Sequence, residues 1–255
     1  MDVEGGHVFI TNGDGHVALL DTRSGAIRGT VRVTAGPAGP DMMTLTVSRR
    51  TARVFVADPV GGTVTMLDAH KGVHLRTVAV GIYPATLAVD ERTGRVFVGN
   101  RRSHTVSMLD ARTGAMVRTV AVGTVPMDLT VDPRTGQVLV TTSGPMDVVP
   151  AGPSVYLGTP TGDGRVVVVD GHSGAILRTI LVGVLPVTTA VDARIDRAFV
   201  LNSNAGPSGG PVATMRVRNG SWLQSLKRLL PWLPITRSQP HPSHGSVTVL
   251  KVSDR

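Results

Sequence analysis

Every phenylalanine of this chain falls in one recurring six-residue segment. Phe9, Phe55, Phe97 and Phe199 lie in HVFITN (7–12), RVFVAD (53–58), RVFVGN (95–100) and RAFVLN (197–202). QVLVTT (137–142) is a fifth copy, with Leu139 in the same column. Successive copies stand 46, 42, 42 and 60 residues apart. Two equal spacings and two longer ones describe one unit of about 40 residues with insertions, and a period of that length is the mark of a repeat architecture.

Other columns keep the same beat. Asp21, Asp68, Asp110 and Asp170 each precede a glycine by four residues: Gly25, Gly72, Gly114 and Gly174. Gly-x-x-Pro recurs as Gly81/Pro84, Gly123/Pro126 and Gly183/Pro186, and a turn follows Asp90, Asp132 and Asp192. One unit therefore reads as four short strands, A to D with A innermost: about 85–90, 95–99, 105–110 and 116–122 in the copy from Pro84. Val, Ile, Leu and Thr fill the strands, and Gly, Asp, Asn and Pro fill the turns. Four strands per period describe a propeller blade, and the short D-x-x-T-G turn suits an antiparallel hairpin better than a coil of a β-helix.

The fold expected is an all-β propeller of four-stranded antiparallel blades, forming one domain over 1–255. About five blades are present: 7–34, 42–80, 84–122, 126–182 with an insertion at 143–163, and 186–251 with an insertion at 203–244. The first and last units read as incomplete, beginning at strand B and stopping at strand C. These ends do not complement each other. The expectation is a piece of a larger propeller, or else an open arc or one closed by a second chain, with self-association through the unpaired blades.

These residues resemble the YVTN-repeat (YncE-like) β-propellers. The match lies in Phe9-Ile10-Thr11-Asn12, Leu67-Asp68 and Val80-Gly81 to Pro84, and repeats of this kind cover most of the chain outside the insertions. Asp58 and Thr142 depart from the signature Asn, and the stretch before Met42 lacks the regular Gly-x-x-Pro. The resemblance implies an N-terminally truncated or otherwise incomplete member of a family whose propellers are typically seven-bladed and often extracytoplasmic.

Composition removes several classes. The charged fraction is 17% against 41% hydrophobic residues, which is not the balance of a disordered chain. Without cysteine there is no disulfide framework, thiolate metal site or Cys nucleophile. No apolar run reaches the ~20 residues of a spanning helix. The opening MDVEGGHVFITN has neither a basic nor an apolar leader region, so no signal peptide is read in this chain and the compartment stays open. The net charge of +8 is mostly arginine spread along the turns, and aromatics are 3%, which argues against a nucleic-acid surface.

The repeated aspartates read as turn residues whose carboxylates accept backbone N–H groups, with the following glycine at positive φ. His70 and His172 share a hairpin-turn column with Arg23 and Arg112, His74 lies across the hairpin from His70, and the pair His241/His244 has no carboxylate nearby, so no metal site and no cofactor are read. No nucleophile elbow, phosphate loop or dinucleotide fingerprint is present. Strand A offers one polar column for the central channel, Thr44, Thr86, Asp128 and Thr188, with Asp128 the single carboxylate.

Antiparallel connectivity puts both insertions, which are B–C loops, on one face of adjacent blades. The longer holds both tryptophans, in SWLQSLKRLLPWL (221–233), read as one short helix capped at Ser221 and stopped by Pro231. Its candidate surface is Trp222, Leu226, Lys227, Arg228, Leu229 and Trp232. Three uses fit it: a lid on the propeller's own face, a helix docking a partner, or an anchor at a membrane surface. The function expected is a non-catalytic scaffold binding a protein or small ligand through this face. The alternatives are a propeller enzyme, lactonase-like or quinoprotein-dehydrogenase-like, with its site at the channel mouth, or a peripheral membrane protein.

Overall fold

A computed structural model of the 255-residue chain describes residues 6–11, 14–34, 43–152, 155–160, 162–203, 213–216 and 246–252. The expected helix at 221–233, with Trp222 and Trp232, lies outside the described residues, as do His241 and His244. Among the described residues there is no helix, and none long and apolar enough to cross a membrane.

Five radial sheets follow the repeat. Blade one holds β1 (His7–Thr11), β2 (His16–Asp21) and β3 (Ile27–Arg32). Blade two holds β4 (Leu45–Ser48), β5 (Arg53–Asp58), β6 (Thr63–Asp68) and β7 (His74–Ala79). Blade three holds β8 (Pro84–Asp90), β9 (Arg95–Asn100), β10 (Thr105–Asp110) and β11 (Met116–Ala121). Blade four holds β12 (Pro126–Val131), β13 (Gln137–Thr142), β16 (Asp163–Asp170) and β17 (Ile176–Val184). Its insertion forms a separate antiparallel hairpin, β14 (Met146–Gly152) with β15 (Val155–Pro160).

Blade five holds β18 (Pro186–Asp192), β19 (Arg197–Asn202), β20 (Ala213–Arg216) and β21 (Ser246–Lys251). It has one strand more than the repeat alone provides. The sheet order is β18-β19-β21-β20, so the outer strand comes from inside the insertion and precedes its neighbour in sequence. Residues 213–216 match no repeat column; they complete the sheet by pairing Ala213 with Val249 through Arg216 with Ser246.

Alternation along the Phe-bearing strands packs the blades. In β5, Val54 and Val56 face blade one, while Phe55 and Ala57 face blade three. In β9, Val96 and Val98 face blade two and Phe97 faces blade four. In β13, Val138 and Val140 face blade three and Leu139 faces blade five. Four apolar clusters thus fill the four gaps between consecutive blades. Phe9, Phe55 and Phe97 are 7%, 0% and 0% exposed, but Phe199 is only partly buried, because its face of blade five has no further described blade against it.

The turns are built by the repeated aspartates. Asp110 Oδ1 accepts hydrogen bonds from the Arg112 N–H (3.1 Å) and Thr113 N–H (2.8 Å), and Gly114 follows at φ +68°. Asp21, Asp68 and Asp170 repeat the pattern. The left-handed glycine is what allows each chain reversal.

Candidate functional site

The innermost strands β4, β8, β12 and β18 lie side by side, so the polar column occupies the centre of the array. Two of its four members meet. Asp128 Oδ2 accepts a hydrogen bond from Thr188 Oγ1 (2.8 Å) and another from the Thr189 N–H (2.8 Å), both in the next blade. Its Oδ1 accepts from the Leu129 N–H (2.9 Å). Thr130 Oγ1 donates to the Thr189 carbonyl (2.7 Å), and the Thr141 and Thr189 hydroxyls bond each other. Thr44 Oγ1 is buried without a hydrogen-bond partner among the described residues, and the Thr86 methyl packs close against Gly99. Asp128 is therefore a clasp between two blades, with both oxygens engaged by donors.

Three of the histidines sit at the C–D turns. The His70 and His172 backbone N–H groups donate to Asp68 and Asp170, and His74 Nε2 shares a 2.9 Å hydrogen bond with Thr77 Oγ1. Among the described residues no group of three or more His, Asp or Glu is placed to hold a metal ion.

The turn carboxylates are held in the charged form. For Asp21, the Ser24 N–H and the Arg28 guanidinium pull its pKa far below the ordinary carboxylate value. Burial works to raise the pKa of Asp68 and Asp110, but N–H donors and the facing Arg53 or Arg95 outweigh it, and both end low. The Ser173 N–H and hydroxyl lower that of Asp170. These groups are fixed acceptors of hairpin turns.

The face carrying the B–C loops is different. There the β14–β15 hairpin stands outside every blade sheet. On the same face Val60 and Ile82 are 69% and 63% exposed, and Arg102 lies over the Tyr83 ring at 4.9 Å. Tyr83 holds φ +59°, in the left-handed region that non-glycine residues rarely enter.

Two arginine columns carried a periodic signal that hydrophobic patterning alone does not single out. Arg50, Arg92 and Arg134 each reach the next blade at the A–B turns. Arg76 and Arg178 do so from the outer strands, toward Thr113 O and Val252 O, and Arg118 in the same column packs beside the Gly174 turn.

No protein-family model matches the chain, and no curated protein matches it in sequence. Solved structures do match in shape. Hydrazine synthase of Kuenenia stuttgartiensis aligns with TM-score 0.67 and 14% identity over 99% of this chain and 62% of its own. The Cps50 (Swd1) β-propeller domain of Myceliophteria thermophila aligns with TM-score 0.59 and 14% identity over 80% of this chain and 60% of its own. A chain of the mitotic checkpoint complex aligns with TM-score 0.60 and 13% identity over 78% and 56%. At these identities the likeness establishes the β-propeller fold. The chain spans between 56% and 62% of the length of these three structures.

Proposed function

We propose that this propeller is a non-catalytic scaffold that binds a protein partner through the face carrying the B–C insertions. The observation that carries this reading is the β14–β15 hairpin, which forms a sheet of its own and belongs to no blade. Function concentrates on loops raised over a rigid frame. The exposed Val60 and Ile82 on the same face fit an apolar contact rimmed by Arg102. Asp128, the one carboxylate of the central column, spends both oxygens on hydrogen bonds and so suits a structural role better than proton transfer. We read the repeat as YVTN-like, resting on the Phe-strand, the Asp turns and the Gly-x-x-Pro crossings.

The test replaces residues 143–162 with the four-residue link of blade two, Pro-Val-Gly-Gly (59–62), and compares photo-crosslinking in host extract from probes on the two faces. Adducts from position 82 that vanish in the loop-replaced variant, with unchanged thermal unfolding, support the reading. Adducts that persist without the hairpin, or that form only from a probe at position 112 on the opposite face, overturn it.

A further inference from the structure

One groove on the rim opposite the insertions breaks a rule that the other blades keep. In blades two, three and four, the outer strand carries Arg76, Arg118 and Arg178 in one column. Each arginine lies across the gap to the next blade. Arg76 Nη1 donates to Thr113 O at 3.4 Å, and a side chain placed at Gly114 would meet Arg76 Cδ at 3.4 Å. Arg118 Cδ crowds Gly174 in the same way, at 2.9 Å, and Arg178 reaches Val252 O.

Blade one has Gly29 in that column, paired with Leu19 where Arg76 pairs with Met66. The turn glycine of blade two, Gly72, accordingly meets Leu19 and no arginine. What remains is a cavity of about 460 Å³ between blades one and two. Phe9, Leu19 and Leu67 give it a buried apolar floor. Its polar wall holds His7, Arg28, His70 and Lys71, and no carboxylate among the described residues lines it. Arg28 is neutralised by Asp21 (2.6 Å), whereas Lys71 has no ion-pair partner among the described residues.

We propose that this groove is a binding site for a small organic anion, a carboxylate or phosphate monoester on a flat apolar body. The apolar portion occupies the volume that an arginine stem fills in the other gaps. The anionic head meets Lys71 and His70. A cationic guest, the simple mimic of the missing arginine, would meet a rim of its own sign.

Amide NMR of the whole chain tests this with benzoate and phenyl phosphate as probes and benzamidine as the cationic counterpart. A probe of this size is expected to bind at about millimolar affinity. Saturable shifts at the amides of Gly29, Thr30 and Gly72 with either anion support the site, and the ratio of the two affinities fixes the head group. Lys71→Ala is expected to weaken binding roughly twofold to fivefold. Gly29 has open space around its Cα and an ordinary φ, so Gly29→Arg restores the column and should abolish the shifts while the remaining spectrum is unchanged. Should that variant fail to fold, Lys71→Glu, at an exposed turn position, must weaken anion binding by more than Lys71→Ala does. Shifts that persist in Gly29→Arg, benzamidine binding as tightly as benzoate, or no saturation at any of these amides would overturn the proposal.

Discussion

Arg92 in blade three donates from Nη2 to the Thr135 carbonyl of blade four at 2.9 Å. Arg50 makes the same reach from blade two, to the carbonyls of Glu91 and Arg92 at 2.9 Å each. Arg134 pairs with Asp196 of blade five. The fourth arginine of the column, Arg194, has no further described blade to reach and folds back on its own Asp192, with its side chain 83% exposed.

This difference in reach sets the first expectation. Arg92→Ala should lower stability by about 1 kcal/mol, the scale of a lost charge-assisted hydrogen bond near the surface. Arg194→Ala should change it by less than about 0.5 kcal/mol. Urea unfolding of the two variants compares them directly, and equal losses would contradict the inter-blade role.

Asp128 makes a similar clasp at the centre of the array. Asp128→Ala leaves Thr188 Oγ1 and the Thr189 N–H without their acceptor, at an expected cost of about 1–3 kcal/mol. Asp128→Asn keeps one side-chain oxygen as an acceptor and should cost less. A shift in chemical denaturation midpoint no larger than that of an exposed control, such as Arg112→Ala, would refute the clasp.

Phe97 and Phe199 share a repeat column but not an environment. Phe97 is sealed between blades three and four, so Phe97→Ala is expected to cost about 3–5 kcal/mol. Phe199→Ala, on a face that no described blade covers, should cost distinctly less. Thermal unfolding midpoints rank the pair, and the reverse order would mean that blade five's outer face is covered in solution.

The turn aspartates make stability depend on pH in one direction. Asp68, Asp110 and Asp170 all have folded-state pKa values below the ordinary carboxylate value. Their contribution is therefore present above the unfolded value of about 4 and is lost as pH falls through the lower folded values. The unfolding midpoint of the native chain should drop between about pH 4 and pH 2. The triple variant Asp68→Asn, Asp110→Asn, Asp170→Asn should start lower at pH 6 and show a flatter profile. An acid-insensitive native midpoint contradicts this.

The blades were legible because their chemistry is local and repeated. A β-strand shows its two faces in alternate residues, so Val54, Phe55 and Val56 announce both neighbouring gaps at once. An Asp followed at four residues by Gly announces its own hairpin, and all four such turns form. Strand β20 was not legible, because Ala213–Arg216 copies no column and is a strand only by pairing with β21. Asp128 was visible as an odd residue in a polar column, but its partner depends on how closely β12 and β18 approach, which no spacing within one blade encodes. The groove at Gly29 needed the three arginines of the other blades to be seen filling their gaps.

Strand β20 also fixes how the longer insertion leaves and rejoins the propeller. Arg216 and Ser246 are direct cross-strand partners, so the sequence between them departs and returns at a single point on the rim of blade five. Such an excursion adds to the entropy of loop closure only logarithmically, about 0.6 kcal/mol for each doubling of length. The scaffold thus offers a grafting port: foreign sequence of very different sizes spliced between these two positions should leave the ladder that anchors it intact.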